Sequence, residues 1–214
     1  MIVMGIQERR ERDFLRRERD ILDAALGLLD HDDWQSVTIA QIATKAEIGK
    51  GTIYKHFATK EEIYARLSLD FGDEMLAAMR RLDHNQPVLD LLRALMRLAL
   101  KYHVRGMRYH RVLMFCRALD FRRRLSPEAQ KAMDDKDMEF DTLFGTIIEK
   151  GIEEGIFPRM PIEKLTWGAH AAFEGTTLML WNELAGATDE QKQEFIDTVI
   201  HFMLVGMVYQ DRKL

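Results

Sequence analysis

Apolar residues recur at three- and four-residue steps along almost the whole chain, and no run alternates polar and apolar residues between turn signals. A chain with that single period buries helical stripes, so the expected fold class is all-α with about nine helices. From about Gln7 to Asp30, Phe14, Leu15, Ile21, Leu22, Ala25, Leu26 and Leu29 mark one buried face, while Arg9, Arg12, Arg16 and Arg19 line a neighbouring one. Those arginines alternate with Glu8, Glu11, Asp13, Glu18 and Asp20, so a self-paired solvent face stands against an arm touching DNA. Three capping boxes announce helix starts: Thr38-x-x-Gln41, Thr59-x-x-Glu62 and Thr188-x-x-Gln191. Ser126-Pro127 opens another, with serine as cap and proline in the first turn.

The remaining helices run from Thr59 to about Asp83, Val88 to Val104, Met107 to about Leu119, Ser126 to about Glu154, Ile162 to Leu184, and Thr188 to about Tyr209. His84-Asn85-Gln86-Pro87 breaks the first of these, and Gly155-Ile156-Phe157-Pro158 turns the chain later. A boundary falls inside the helix of 59–83, between a short unit at 1–65 and a longer one at 66–214. A helix shared in this way is expected to couple the two.

Net charge is −4, which speaks against a general nucleic-acid binder. The distribution says otherwise for one segment: residues 36–60 hold Lys45, Lys50, Lys55 and Lys60 against Glu47 alone, locally +3. The same segment reads as a short helix, a tight turn near Glu47-Ile48-Gly49, and a second helix of about eight residues ending at Phe57, which is a helix-turn-helix. Ile39, Ile42, Ala43, Ile48, Ile53 and Phe57 fall on its inner side, leaving Thr38, Lys45, Lys50, Thr52, Tyr54, Lys55 and His56 outward. Amines, hydroxyls and backbone amides on one outward helix suit the major groove and its flanking phosphates, and Gly49 and Gly51 allow close backbone approach.

Ile48-Gly49-Lys50-Gly51-Thr52-Ile53-Tyr54-Lys55-His56-Phe57, followed by Lys60-Glu61-Glu62, resembles the signature of the TetR family of bacterial repressors, over residues 15–64. The resemblance implies an N-terminal three-helix DNA-binding domain with a helix-turn-helix (1–65) and a C-terminal ligand-binding and dimerisation domain (66–214). It implies that Thr38 and Tyr54 hold phosphates, that Lys50, Thr52 and Lys55 lie in or at the major groove with Gly51 and His56 beside them, and that Lys60 reaches a phosphate from the next helix. Gly49 departs from the polar residue many members carry, which removes a base contact. The partners expected are double-stranded DNA, a second copy through 162–184 and 188–209, and a small-molecule effector.

The last two helices support the second of these, because Trp167-Gly168-Ala169-His170-Ala171-Ala172-Phe173 and Val199 to Val208 are apolar over more than one stripe. For the effector, Tyr102, His103, Met107, Met114, Phe115, Phe144, Trp167, His170 and Phe173 are the candidate lining: pliable methionines and flat rings suit an apolar ligand. Arg105, Arg108 and Arg111 are candidates for an anionic group on it. A metal-responsive regulator is the second reading, since His103, His110 and His170 are potential imidazole ligands, but seven residues span about 10.5 Å of helix, too far for His103 and His110 to share one ion. A helical ligand-binding protein without operator function is the third.

No enzyme reading survives. Gly49-Lys50-Gly51-Thr52 lacks the spacing of a phosphate loop, no HExxH or GxSxG occurs, and Phe140 stands where a calcium loop needs glycine. No cofactor is expected. Cys116 has no internal partner and reads as a packed thiol, the opening residues are too short for a signal peptide, and the longest apolar stretch is about ten residues against the ~20 of a span. A cytoplasmic, membrane-free protein follows as the expectation.

Overall fold

A computed structural model describes residues 5–30, 34–116 and 120–208, with Ile6 and Met107 as backbone only. The expected ends at Leu119 and Tyr209 lie outside the described residues. The elements are α1 (Ile6–Leu28), α2 (Ile39–Lys45), α3 (Lys50–Ile53), α4 (Lys60–Arg80), α5 (Val88–Val104), α6 (Met107–Cys116), α7 (Pro127–Glu153), α8 (Ile162–Asn182) and α9 (Asp189–Val208), with single 3-10 turns at Trp34–Ser36 and Arg122–Arg124. No strand occurs among the described residues. Two compact units divide the chain, one of Met1–Phe71 with Gly106–Asp134, the other of Gly72–Arg105 with Asp135–Leu214.

Local capping sets the helix starts. The Thr38 and Thr188 boxes close in both directions: Gln41 N donates to Thr38 Oγ1 at 3.3 Å and Thr38 N to Gln41 Oε1 at 2.8 Å, with 3.2 and 2.9 Å for the Thr188–Gln191 pair. At Thr59 the hydroxyl accepts from Glu62 N at 3.1 Å, but the Glu62 carboxylate reaches back one residue further, to Ala58 N at 2.8 Å. Ser126 Oγ caps Ala129 N at 3.2 Å.

In the first unit, Ile21, Leu22, Ala24 and Ala25 of α1 bury against Val37, Ile42, Ala43, Ile53, Phe57 and Ile63. A second cluster joins Leu29, Tyr64, Val112, Phe121 and Leu125. In it the Tyr64 ring lies 4.4 Å from Phe115, and burial pushes the Cys116 thiol up to about 12, leaving it a neutral packed group.

In the second unit α5, α8 and α9 pack pairwise. Their buried residues include Leu91, Leu92, Leu95, Met96, Ala99 and Leu100 of α5, Leu165 and Leu180 of α8, and Ile196, Ile200, Met203, Leu204 and Met207 of α9. Thr176 and Thr177 are buried there and donate to carbonyls of their own helix, Ala172 at 2.6 Å and Glu174 at 2.8 Å, so neither hydroxyl is orphaned. Arg97 donates twice to Asp197 Oδ1, at 2.9 and 2.7 Å, tying α5 to α9.

Two helices end in the same hydrogen-bond pattern. After α7, Ile156 N donates to Gly151 O at 2.8 Å and Gly155 N to Ile152 O at 3.1 Å, with Gly155 at φ 73. After α2, Ile48 N donates to Ala43 O at 3.0 Å and Glu47 N to Thr44 O at 3.2 Å. Within the expected Glu47-Ile48-Gly49 turn the left-handed residue is Glu47, at φ 56, while Gly49 is extended at φ −74 and ψ 147. Left-handed geometry costs a non-glycine residue about 1–2 kcal/mol, and a β-branched one suffers more. Glu47→Gly is therefore expected to match or exceed wild-type stability by up to about 1 kcal/mol, because the added chain entropy partly offsets the relief, whereas Glu47→Val should lose about 1–2. Urea unfolding checks both, and a valine variant as stable as wild type would contradict the turn.

Candidate nucleic-acid interface

The second helix of the pair is shorter than the eight residues expected. It spans Lys50–Ile53 and then tightens, with His56 N and Phe57 N both donating to Ile53 O at 2.9 Å. The tightening turns Ile53 and Phe57 into the core and presents Lys50, Tyr54 and Lys55 outward, Tyr54 with 56% of its surface exposed. Thr52 is half-exposed. Lys45, Lys50 and Lys55 have no carboxylate partner among the described residues. A side chain added at Gly49 or Gly51 would meet nothing within 4 Å, so the packing of this chain does not require glycine at either position. Thr38 is exposed, its hydroxyl donating to Gln41 Oε1 at 2.8 Å while capping α2.

Two expected contact residues face inward instead. Lys60 donates from Nζ to Val37 O at 2.8 Å and lies 5.1 Å from the centroid of the Phe115 ring, and its burial lowers its pKa. Its ammonium, read from sequence as a phosphate contact, here ties α4 to the residue before the α2 cap. His56 stacks on Phe14 of α1 with ring centroids 4.1 Å apart, and its Nδ1 is covered without a hydrogen-bond partner among the described residues. The period predicts Phe14 and Leu15 on the buried stripe of α1, but both are exposed, at 46% and 56%, because the buried stripe begins only at Ile21 and Phe14 stacks on His56.

Burial lowers the His56 pKa, with Glu18 opposing the shift and Arg17 and Lys55 adding to it. The unfolded chain then takes the proton more readily than the folded one, so stability should be flat above pH ~6.5 and fall as pH drops below that value. His56→Phe, which keeps a ring on Phe14 and removes the titration, should show the smaller loss between pH 7.5 and 5.5 in urea unfolding. Equal losses in the two proteins would refute the assignment.

The effector candidates are spread over both units. Phe115 belongs to the Tyr64–Phe121 cluster of the first, where Met114 is exposed, and the Met107 side chain lies outside the described residues. In the second, Trp167 and His170 are exposed on α8, and Phe144 is half-buried on α7. His103 and Phe173 meet edge to face at 5.1 Å, with His103 Nδ1 2.9 Å from Ala99 O and Trp181 Nε1 donating to His103 O at 3.1 Å. Tyr102 sits under the Arg105 guanidinium at 5.1 Å. The three candidate arginines are engaged: Arg105 with Glu74 at 2.7 Å, Arg108 through Nε with Asp30 at 2.7 Å, and Arg111 with the Leu29 carbonyl. Among the described residues no three His, Cys, Asp or Glu side chains group as metal ligands, and no helix is long and apolar enough to cross a membrane.

Residues 21–67 match the family model for bacterial regulatory proteins of the tetR family. The chain is 25% identical over 142 residues to the HTH-type transcriptional repressor KstR2 of Mycobacterium tuberculosis, covering 66% of this chain and 69% of that one. In fold it is similar to a tetR-family regulatory protein from Rhodococcus RHA1, with a TM-score of 0.69 and 22% identity over 89% of this chain and 96% of the other. It is also similar to the fatty acid degradation regulator FadR of Bacillus halodurans, at 0.67 and 15% over 92% and 97%. Residues 21–67 thus carry a helix-turn-helix of the tetR-family type with an outward basic face, and the fold around it is shared with the tetR-family protein from Rhodococcus RHA1 over 89% of the chain.

Proposed function

We propose that the chain is a repressor that binds an operator of two inverted half-sites as a homodimer and is released when a small, largely apolar molecule enters the C-terminal domain. The observation that carries the DNA half is the outward set of Lys50, Tyr54 and Lys55 beside glycines whose side-chain space is open. A groove wall fills that space, Lys50, Thr52 and Lys55 meet it, and Thr38 and Tyr54 meet flanking phosphates. His56 acts mainly as the brace between α1 and the end of α3. Kinship with a repressor supports the sign of regulation.

The dimer reading rests on the outer faces of the last two helices. Trp167 is 64% exposed and Leu178 is exposed further along α8, with Gly168 and Ala171 between them. On α9, Phe202 is 70% exposed, with Val205 and Gly206 exposed beside it. A second copy of the same faces removes that apolar surface from water. The effector reading rests on the His103–Phe173 contact at the α5–α8 seam, a ring edge beside a polar handle, and kinship in fold with a regulator of fatty acid degradation favours a ligand with an apolar chain.

Shift assays on random genomic fragments, repeated with extracts of the protein's host and followed by native mass spectrometry, test both halves. Fragments retained by wild type, not by Tyr54→Phe combined with Lys50→Ala, and released by a small molecule carried in the mass spectrum, are the expected results. Retention by the double variant would remove the DNA assignment. Release by a divalent ion alone would replace the organic effector with a metal.

A further inference from the structure

Helix α1 is longer than its packing requires. Its buried residues begin at Ile21, while every residue from Gln7 to Arg16 is exposed. A bare helical segment rich in charge usually satisfies itself, and much of this one does. Glu8 accepts from Gly5 N at 2.9 Å at the cap, Arg16 pairs with Asp13 at 3.3 Å, Arg17 pairs with Asp20 at 3.2 Å, and Arg12 is also engaged. Arg9 and Arg10 are left with no partner among the described residues.

The two differ in where they stand. The Phe14–His56 stack fixes which face of α1 looks toward the end of α3. Arg10 lies four residues before Phe14, roughly 40° from it around the helix and about 6 Å further along, whereas Arg9 lies roughly 140° round. Arg10 therefore continues the face of α1 that meets His56, one helical turn beyond the stack. About 6 Å is close to two phosphate steps along one DNA strand, at 3.4 Å of axis each. Glu11 sits about 100° round from Arg10, on the other flank of Phe14, so the cationic part of this face is narrow.

We infer that α1 is a second DNA-contacting element, in which Arg10, aimed by the stacking of Phe14 on His56, meets a backbone phosphate outside the base pairs covered by α3. Such a contact carries no sequence information; it adds affinity and fixes the orientation of the unit on the duplex.

The inference rests on the DNA-binding surface proposed above, and the test separates the two. Duplexes enriched from a random pool by the wild-type full chain are prepared with the same core and either short flanks of about three base pairs or flanks of about ten, and affinity is measured against salt. Arg10→Ala should weaken binding to the long-flank duplex about 3- to 10-fold and flatten the slope of log K against log salt by about 0.9 per half-site. It should bind the short-flank duplex as wild type does, and Arg10→Lys should keep most of the slope. Arg9→Ala should change neither. Wild-type behaviour of Arg10→Ala on long flanks, or an equal loss in Arg9→Ala, would overturn the inference while leaving the α3 surface standing; a wild type that enriches no duplex would overturn both.

Discussion

Phe202→Asp is expected to give a folded monomer that binds operator duplex at least 100-fold more weakly than wild type. Phe202 is 70% exposed on α9, so a carboxylate there meets only water in a single chain and the helix keeps its content. Across a two-fold axis the same carboxylate would be desolvated against apolar partner surface, at several kcal/mol for each copy. Two half-sites about one helical turn apart need two linked readers, so loss of the dimer removes one of them from every complex. Sedimentation and circular dichroism on the same sample check the first part, and anisotropy the second. Trp167→Asp, on the exposed face of α8, should behave alike. A dimeric Phe202→Asp protein would place the interface elsewhere.

Gly151→Ala should destabilise the second unit by roughly 1–3 kcal/mol, although alanine is ordinarily the better helix former by about 1 kcal/mol. A Cβ at residue 151 would stand 2.4 Å from Phe157 Cε2 and 3.1 Å from Val88 Cγ1. Phe157 is only 3% exposed, and Ile156 N and Phe157 N both donate to Gly151 O, so the ring is held over the glycine by the turn that ends α7. The clash outweighs the propensity gain because the ring has no room to withdraw. Phe157→Leu in the Gly151→Ala background should recover part of the loss, a coupling that a double-mutant cycle by urea unfolding reads directly. Additive effects would show that the two residues do not meet.

What was legible in the sequence was what depends on neighbours in the chain. Thr38 with Gln41 and Thr188 with Gln191 mark helix starts because each box closes within four residues, and the buried Ile21, Leu22, Ala25 and Leu29 of α1 follow from period alone. The inward side of the helix-turn-helix, Ile42, Ala43, Ile53 and Phe57, follows from the same period. Contacts that join distant segments were not legible. Lys60 has the same chemistry whether it reaches a phosphate or the Val37 carbonyl, and only the fold shows which lies 2.8 Å away. Glu47 carries the left-handed turn although Gly49 stands two residues on, since the hydrogen bonds back to Ala43 and Thr44, not the residue's own preference, decide the position. The ring neighbours of the aromatic candidates were not legible for the same reason: Phe115 shares rings with Tyr64 and Phe121 within the first unit, while Phe173 meets His103 within the second.

Sequencing the duplexes that wild-type protein enriches from a random pool, and weighing the complexes by native mass spectrometry, asks whether α3 reads DNA as one of a pair. The expected result is an inverted repeat with half-site centres about 10 base pairs, or a multiple of that, apart, an even number of chains on each duplex, and loss of enrichment in the Lys50→Ala, Tyr54→Phe double variant. Enrichment of an asymmetric site by a single chain, or enrichment that survives the double variant, would contradict it.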